Sequence, residues 1–281
     1  MLTTMLVPVD FTDDSALVIS AAAGLTGLGV RRVVLVHVVE ASGMEGPAIA
    51  KKVDSVREGL RKDAERLRAC GLDVEVRVPA GDEFHELLVL ASELHADGIL
   101  CGSHGKTVVD QLVAGSVPER MLRDGTIPGL VVRFALLRQE EDPAEPVRRF
   151  GSKLLVPTDF SATASRAFST VTGLPAKSVG SLHLLHVIDS GLTGEKLRKA
   201  EDGAEFHLRN LAAMAAEKGM AATVAIRCGE PARAILAEMN ERRVTGVAVG
   251  TRGRAILAEP LLGSVSMTLL RQASCPVMIV P

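Results

Sequence analysis

Short runs of valine, leucine and isoleucine alternate with longer amphipathic segments along the chain. In the first half, the short runs predict β-strands at residues 5–9, 33–39, 74–78, 98–101 and 129–134. The longer segments predict helices at residues 13–28, 48–69, 82–94 and 116–123. Because the predicted strands are almost continuously apolar, helices must cover both faces of their sheet, which is typical of an α/β fold with a parallel sheet. Right-handed crossovers then favour a doubly wound sheet of five strands.

The second half of the chain repeats the first. The apolar strand that leads to Asp10 recurs before Asp159, and His37 recurs at His186, both at an offset of 149 residues. The segment between the repeats is charged, contains proline and is poor in apolar residues, which indicates a linker. We therefore predict two tandem domains, at residues 1–135 and 152–281, joined by a linker at 136–151.

A glycine motif of the form G-x2-G-x9-G-S also occurs twice, each time between a predicted strand and a predicted helix. In the first half its positions are Gly102, Gly105, Gly115 and Ser116. In the second half they are Gly250, Gly253, Gly263 and Ser264. Glycines at such a place let the backbone approach a ligand closely, and the following helix N-terminus offers free N–H groups to an anion. The recurrence favours phosphate binding over an empty glycine-rich turn.

The polar side chains near this motif each have two interpretations. In a doubly wound sheet, ligands bind beyond the carboxyl ends of the strands, so Asp10 and Asp159 are expected to face the glycine loops. Each carboxylate either accepts hydrogen bonds from a ribose or base edge, or is a turn-forming or helix-capping aspartate. Likewise, Ser116 and Ser264 either donate to a phosphate or cap a helix. Four loop residues either add cationic contacts or are solvated charges: His104, Lys106, Arg252 and Arg254.

Several other candidate sites fail on inspection. The sequence around Lys106 resembles the end of a Walker A loop, but Leu100 occupies the position of the required first glycine. His183 and His186 are three residues apart on a strand, so they point to opposite faces and cannot share a metal ion. We interpret His37 and His186 as hydrogen-bonded residues at strand ends. Neither a catalytic residue nor a protein-bound metal is therefore predicted.

The Asp10 strand, the His37-Val38 pair and the glycine motif together resemble the universal stress protein family, over nearly the whole of both halves. The resemblance implies the strand order 3-2-1-4-5 of adenine nucleotide alpha hydrolase-like domains, with ATP as the ligand and Mg2+ as an accompanying ion. It places Asp10 and Val38 against the adenosine, and Gly102, Gly105, Gly115 and Ser116 around the ribose and phosphates. In the second half, the same contacts are assigned to Asp159, Val187, Gly250, Gly253, Gly263 and Ser264.

The family commonly pairs domains through the fifth strand, and the apolar fifth strands predicted here would otherwise be exposed edges. We therefore expect residues 129–134 and 276–280 to pair edge to edge and antiparallel within one chain. A homodimer of chains is a further expectation.

Composition narrows the function classes. The chain has 34 acidic and 32 basic residues and no Trp or Tyr, which argues against nucleic acid or an anionic membrane as a partner. No signal peptide or membrane-length apolar run is visible, so a cytoplasmic protein is expected. The four cysteines form no paired motif and are interpreted as reduced, mostly buried thiols.

The leading interpretation is a tandem stress-response protein that binds ATP at two sites and acts as a nucleotide-dependent sensor or regulator. A slow ATPase or nucleotidyl transferase on the same scaffold is the second interpretation. An interaction scaffold with empty sites is the third.

Overall fold

A computed structural model describes residues 2–40, 42–43, 45–103, 127–188, 190–251 and 263–281. The strands of the first half are β1 Thr4–Pro8, β2 Arg32–Val36, β3 Asp73–Arg77, β4 Gly98–Ser103 and β5 Gly129–Arg133. Its described helices are α1 Asp13–Ala22, α2 Gly46–Ala69 and α3 Glu83–Glu93, with a 3₁₀ helix at Ala23–Leu28. The helix predicted at 116–123 lies outside the described residues.

Two short helices follow β5, namely α4 Phe134–Leu137 and α5 Glu145–Arg148. The strands of the second half are β6 Leu154–Pro157, β7 Leu182–Ile188, β8 Ala222–Cys228, β9 Gly246–Gly250 and β10 Val277–Val280. Its helices are α6 Ala162–Thr172, α7 Gly194–Glu217, α8 Pro231–Arg242 and α9 Ser264–Gln272, with a 3₁₀ helix at Ala176–Ser178.

The ten strands form one sheet in the order β3-β2-β1-β4-β5-β10-β9-β6-β7-β8. Within each half the strands pair in parallel and follow the predicted order 3-2-1-4-5. The halves meet at a seam where β5 and β10 pair antiparallel, with Val131 opposite Val277. The predicted pairing of the fifth strands is thus confirmed, and each strand covers the apolar edge of the other.

The hydrophobic core continues across this seam on both faces of the sheet. On one face, Leu130 and Met278 belong to a single buried cluster. On the other face, Val131 and Val277 belong to a second cluster. The alternation of neighbouring residues between the two clusters follows from the period of two along a strand. The two halves therefore share their apolar interior.

The segment between the halves is folded against the first half. Val147 and Phe150 are fully buried, and α5 packs against the 3₁₀ helix that follows α1. A Cβ atom on Gly24 would overlap the backbone carbonyl of Ala144, so only glycine allows this close approach.

A buried polar cluster joins β7, β8 and α8 in the second half. Glu238 is 1% exposed, and its carboxylate lies 2.8 Å from Nε2 of His183, 2.7 Å from Nη2 of Arg227 and 2.5 Å from Nε of Arg242. Burial lowers the pKa of His183, and Glu238 opposes this only in part, so the ring is neutral. Because a carboxylate only accepts, Nε2 carries the proton and Nδ1 accepts from the Thr223 hydroxyl at 2.8 Å.

The four cysteines are free thiols, as expected. The expectation that most of them are buried is wrong, because two of the four are exposed. Cys101 and Cys275 are buried, and burial raises the pKa of each thiol to about 12. Cys70 and Cys228 are exposed because they lie at the ends of α2 and β8. Among the helices of the described ranges, none combines the length and apolar character needed to cross a membrane.

Candidate functional site

The carboxyl end of β1 leads into a tight turn organised by Asp10. Its Oδ1 accepts hydrogen bonds from the backbone N–H of Thr12 at 3.0 Å and from the Thr12 hydroxyl at 2.6 Å. The same hydroxyl oxygen caps α1 by accepting from the N–H of Ser15 at 3.2 Å. Burial raises the pKa of Asp10, but the hydrogen bonds from Thr12 and Ser15 outweigh it, so the net pKa is lowered. The side chain of Asp10 is therefore a carboxylate near neutral pH.

The second half repeats this turn with a small change. Asp159 accepts the N–H of Ser161 on Oδ1 at 3.0 Å, and Ser161 caps α6 by accepting from the N–H of Ala164 at 3.3 Å. The turn-forming interpretation of Asp10 and Asp159 is therefore correct. The hydrogen bonds to Oδ1 account for this turn in both halves, and a contact of either carboxylate with a ribose or base remains a prediction.

The residue after each aspartate has an unusual backbone. Phe11 and Phe160 have φ values of 61° and 62°, in the left-handed region that bulky residues rarely adopt. The sequence analysis missed this conformation, although the repeated Asp-Phe-Thr/Ser segment was a signal for it. Such strain persists only where the surrounding structure holds it, and it recurs at the same place in both halves.

Each phenylalanine ring packs on the histidine of the neighbouring strand end. The ring centroids of Phe11 and His37 are 4.9 Å apart, and those of Phe160 and His186 are 4.6 Å apart. His37 donates from Nδ1 to the carbonyl of Val9, and His186 donates to that of Thr158, both at 2.7 Å. The predicted role of these histidines is thus confirmed: each one ties the end of its strand to the turn.

The first glycine of each motif is required by packing. A Cβ atom on Gly102 would overlap the ring of Phe134, and one on Gly250 would lie 2.7 Å from the Thr163 side chain. Both positions therefore need glycine whether or not a ligand binds. Their contact with ribose or phosphate stays a prediction.

The last glycine of the second motif precedes α9. Gly263 has φ −61° and ψ 149°, and no side chain of the described residues caps the helix. The neighbouring Ser264 is exposed and is the first residue of α9, so it does not serve as the N-cap. Instead, the buried hydroxyl of Ser266 donates to the carbonyl of Gly250 at 2.7 Å, and the N–H of Gly263 donates to Thr251 at 2.7 Å. These bonds fix the helix N-terminus beside the end of β9.

The two valines assigned to the adenosine lie at the neighbouring strand ends. Val38 is half-buried just beyond β2 and packs against the cluster that contains Leu87. Val187 is half-buried near the end of β7 and packs against the cluster that contains Ile235. Other predicted site residues lie outside the described residues: Gly105, Gly115, Ser116, Gly253, His104, Lys106, Arg252 and Arg254.

One acidic residue near the first site was missed by the sequence analysis. Burial raises the pKa of Glu83, and the charge of Asp10 raises it further. The second half has Pro231 at the corresponding start of its helix, so this carboxyl has no counterpart at that position of the second site. Within the described ranges, no cluster of His, Cys, Asp and Glu could hold a metal ion.

Comparison with known proteins identifies relatives of both halves. A family model described as "Universal stress protein family" matches residues 1–133 and 152–281. Universal stress protein YxiE of Bacillus subtilis is 34% identical over 146 residues, which cover 46% of this chain and 98% of that protein. Universal stress protein MJ0577 of Methanocaldococcus jannaschii is 27% identical over 151 residues, which cover 46% of this chain and 93% of that protein.

A solved structure matches the whole chain. The crystal structure of a universal stress protein from Archaeoglobus fulgidus is 26% identical, with a TM-score of 0.76, and the match covers 100% of this chain and 96% of the other. The two curated relatives each correspond to about half of this chain, whereas the solved structure extends over both halves.

Proposed function

The chain belongs to the universal stress protein family as a tandem of two family domains, and from this premise we propose that each half binds one adenine nucleotide. ATP with Mg2+ is the proposed ligand, and occupancy of the two sites makes the protein a nucleotide-dependent regulator in a cytoplasmic stress response. The proposed contacts are Asp10, Val38, Gly102, Gly105, Gly115 and Ser116 in the first half. Their counterparts are Asp159, Val187, Gly250, Gly253, Gly263 and Ser264.

One observation carries this proposal: the same strained turn stands at the same carboxyl edge of both halves. Each turn holds an aspartate whose Oδ1 is used internally, beside a histidine-anchored phenylalanine. A carboxylate oxygen placed there is suited to accept hydrogen bonds from ribose hydroxyls. The position lies beyond the carboxyl ends of β1 and β4, and of β6 and β9, where doubly wound sheets bind ligands.

The start of α9 supports the phosphate part of the proposal. Its first-turn N–H groups are not capped by a side chain of the described residues, and a helix N-terminus carries about half a positive charge. The exposed Ser264 hydroxyl is available to donate to a phosphate oxygen. Because these groups would contact the outer phosphates, we expect ATP to bind more tightly than AMP.

The experiment is mass spectrometry of any ligand released from the purified protein, followed by calorimetric titration of the emptied protein with Mg2+-ATP. We expect an adenine nucleotide in the released fraction and a stoichiometry of two per chain. Saturating ATP also raises the melting temperature, because ligand that binds only the folded state stabilises it. An emptied protein with no heat and no melting shift at millimolar ATP would contradict the proposal and leave the scaffold interpretation. Steady ATP turnover would favour the enzyme interpretation.

A further inference from the structure

Two half-buried arginines at the seam between the halves lack the carboxylate partners that the other half-buried arginines of the described residues have. The described residues include five half-buried arginines: Arg32, Arg77, Arg133, Arg227 and Arg271. The first two pair with Glu75, and Arg227 pairs with Glu238. Arg133, at the carboxyl end of β5, and Arg271, in the last turn of α9, pair with no carboxylate of the described residues.

These two arginines lie close to one another. Nη1 of Arg133 donates to the backbone carbonyl of Arg271 at 3.4 Å. Arg133 lies two residues beyond Val131, the last residue of β5 in the seam pairing, and continuing the antiparallel register places it opposite Cys275. Burial raises the pKa of the Cys275 thiol, and the charge of Arg133 partly opposes this, as expected for a nearby cation. Arg133 is also the register partner of Ser103 in β4, the second residue of the first glycine motif.

Ser103, Arg133 and Arg271 each carry a buried polar atom without a hydrogen-bond partner among the described residues. These atoms are Oγ of Ser103, Nε of Arg133 and Nε of Arg271. Ser103 and Arg133 are register partners on neighbouring strands, and Arg133 contacts the backbone of Arg271. A buried donor left unsatisfied is costly, so unsatisfied atoms on three neighbouring residues need an explanation. The backbone carbonyl of Arg271 accepts a hydrogen bond from Nη1 of Arg133 and leaves Nε of Arg133 without a partner. The end of α9 supplies about half a negative charge against two guanidinium charges, so an excess of positive charge remains.

Among the described residues, the arrangement occurs at one end of the seam, where β5 ends. At the position of Arg133 the second half has Pro281, and at the position of Cys275 the first half has Ile127. The carbonyl of Pro281 is taken by Nε of Arg166, an exposed arginine. The seam is therefore asymmetric, with unpaired cationic groups at only one of its two ends within the described residues.

We propose that Arg133 and Arg271, with the Ser103 hydroxyl, form an anion site at the seam that takes a phosphoryl group. The guanidinium groups and the hydroxyl are donors that match phosphate oxygens. The phosphoryl group comes either from inorganic phosphate or from the phosphate tail of a nucleotide in the first half. Binding of a nucleotide tail rests on the proposed function, whereas binding of inorganic phosphate does not. In either case the second half supplies one arginine, so binding at this end couples the two halves.

The test is calorimetric titration of the full chain with inorganic phosphate, Mg2+-ATP and adenosine. The variants are Arg133→Gln and Arg271→Gln, with Arg166→Gln as the matched control. We expect either arginine variant to weaken phosphate binding roughly tenfold or more, because each loses a charge-assisted hydrogen bond. The control should bind like the natural protein. Arg133→Lys keeps the charge if Arg133→Gln fails to fold, and it should lose part of the affinity because the fork of donors is lost.

The three titrations distinguish the two sources of the phosphoryl group. If the site takes the nucleotide tail, affinity for ATP falls in both arginine variants while affinity for adenosine does not. If it takes free phosphate, the phosphate titration changes and the ATP titration does not. Phosphate binding without any nucleotide binding would support this site and contradict the proposed function. Affinities for phosphate and ATP within twofold of the control in both arginine variants, or no binding of either, would overturn the site.

Discussion

At the residue scale, the two serines at the start of α9 have separable roles although they are two positions apart. Ser264 is exposed, whereas Ser266 is 2% exposed and donates to the carbonyl of Gly250 at 2.7 Å. We predict that Ser264→Ala weakens ATP binding at the second site roughly tenfold and leaves the free energy of unfolding unchanged. By contrast, Ser266→Ala should lower the free energy of unfolding by about 1–2 kcal/mol. Calorimetric titration and urea unfolding of both variants measure the two effects. Equal loss of stability in the two variants would contradict this division.

Asp97 stabilises the start of β1 by accepting three hydrogen bonds. Its Oδ2 accepts from the N–H and hydroxyl of Thr3, at 2.8 and 2.7 Å, and from the N–H of Thr4, at 2.9 Å. Burial raises the pKa of Asp97, but these bonds outweigh it and the net pKa is lowered. The stabilisation by Asp97 is therefore complete above the pKa of an aspartate in the unfolded chain, about 3.9. It is lost as the pH falls through the lower pKa that Asp97 has in the folded protein.

We predict that Asp97→Ala lowers the free energy of unfolding by about 1–2 kcal/mol at pH 7, and that the difference from the natural protein shrinks at pH 3. The second half offers a control, since Thr245 accepts the N–H of Lys153 at 2.8 Å with a hydroxyl that does not titrate. The effect of Thr245→Val should not depend on pH in this range. Urea unfolding at the two pH values measures both variants, and a pH-independent effect of Asp97→Ala would refute the role of its charge.

At the element scale, the N-terminus of α9 is the part of the second site that can be blocked most cleanly. Gly263 has φ −61° and ψ 149°, which residues other than glycine also adopt, so valine imposes no backbone strain there. We predict that Gly263→Val folds normally and binds one ATP per chain instead of two, because its side chain obstructs the helix N–H groups. The first site in the same titration is the internal control. An unchanged stoichiometry would show that α9 does not hold the phosphates.

The polar cluster of β7, β8 and α8 gives the second half its own pH dependence. The first half has Val34 and Leu90 at the positions of His183 and Glu238. Because the pKa of His183 is lowered on folding, the unfolded chain binds the proton more tightly. Stability is therefore lost as the pH falls below the unfolded value of about 6.5. Burial raises the pKa of Glu238, but hydrogen bonds from Arg242 and His183 outweigh it, so the net pKa is lowered. Protonation of Glu238 therefore causes a further loss of stability at lower pH.

We predict that the double variant His183→Val and Glu238→Leu flattens the pH dependence of unfolding between pH 5 and pH 7. Arg227 and Arg242 remain hydrated in this variant, since both are partly exposed. Denaturant unfolding across this range measures the slope for the variant and the natural protein. Identical slopes would mean that the cluster does not titrate on folding.

At the scale of the whole molecule, the seam joins the two halves through a continuous apolar core. Both faces of the seam are packed with buried side chains from each half. We predict a single calorimetric unfolding transition for the full chain. In Val131→Pro, the seam loses a ladder donor, which should lower the free energy of unfolding by about 3 kcal/mol or more. Two separate transitions in the natural protein would contradict a shared core.

The apolar patterns and topology rules predicted the repeat and the doubly wound parallel sheet. The strand order came from the resemblance to the family, and the pairing of the fifth strands came from that resemblance together with their apolar edges. The sequence did not predict the strained Phe11, since a left-handed phenylalanine violates local preference. Nor did it show that Gly102 makes room for Phe134, or that Phe150 is buried beyond a charged segment. Those contacts join positions that are far apart in the chain, and periodicity carries no information about them.

The antiparallel seam has a consequence for how this chain meets its surroundings. Since β5 and β10 run in opposite directions, the carboxyl edges of the two halves open on opposite sides of the molecule. A rigid neighbour that docks over one opening therefore leaves the other facing away from it. If each opening holds a ligand, the two ligands face two different neighbours.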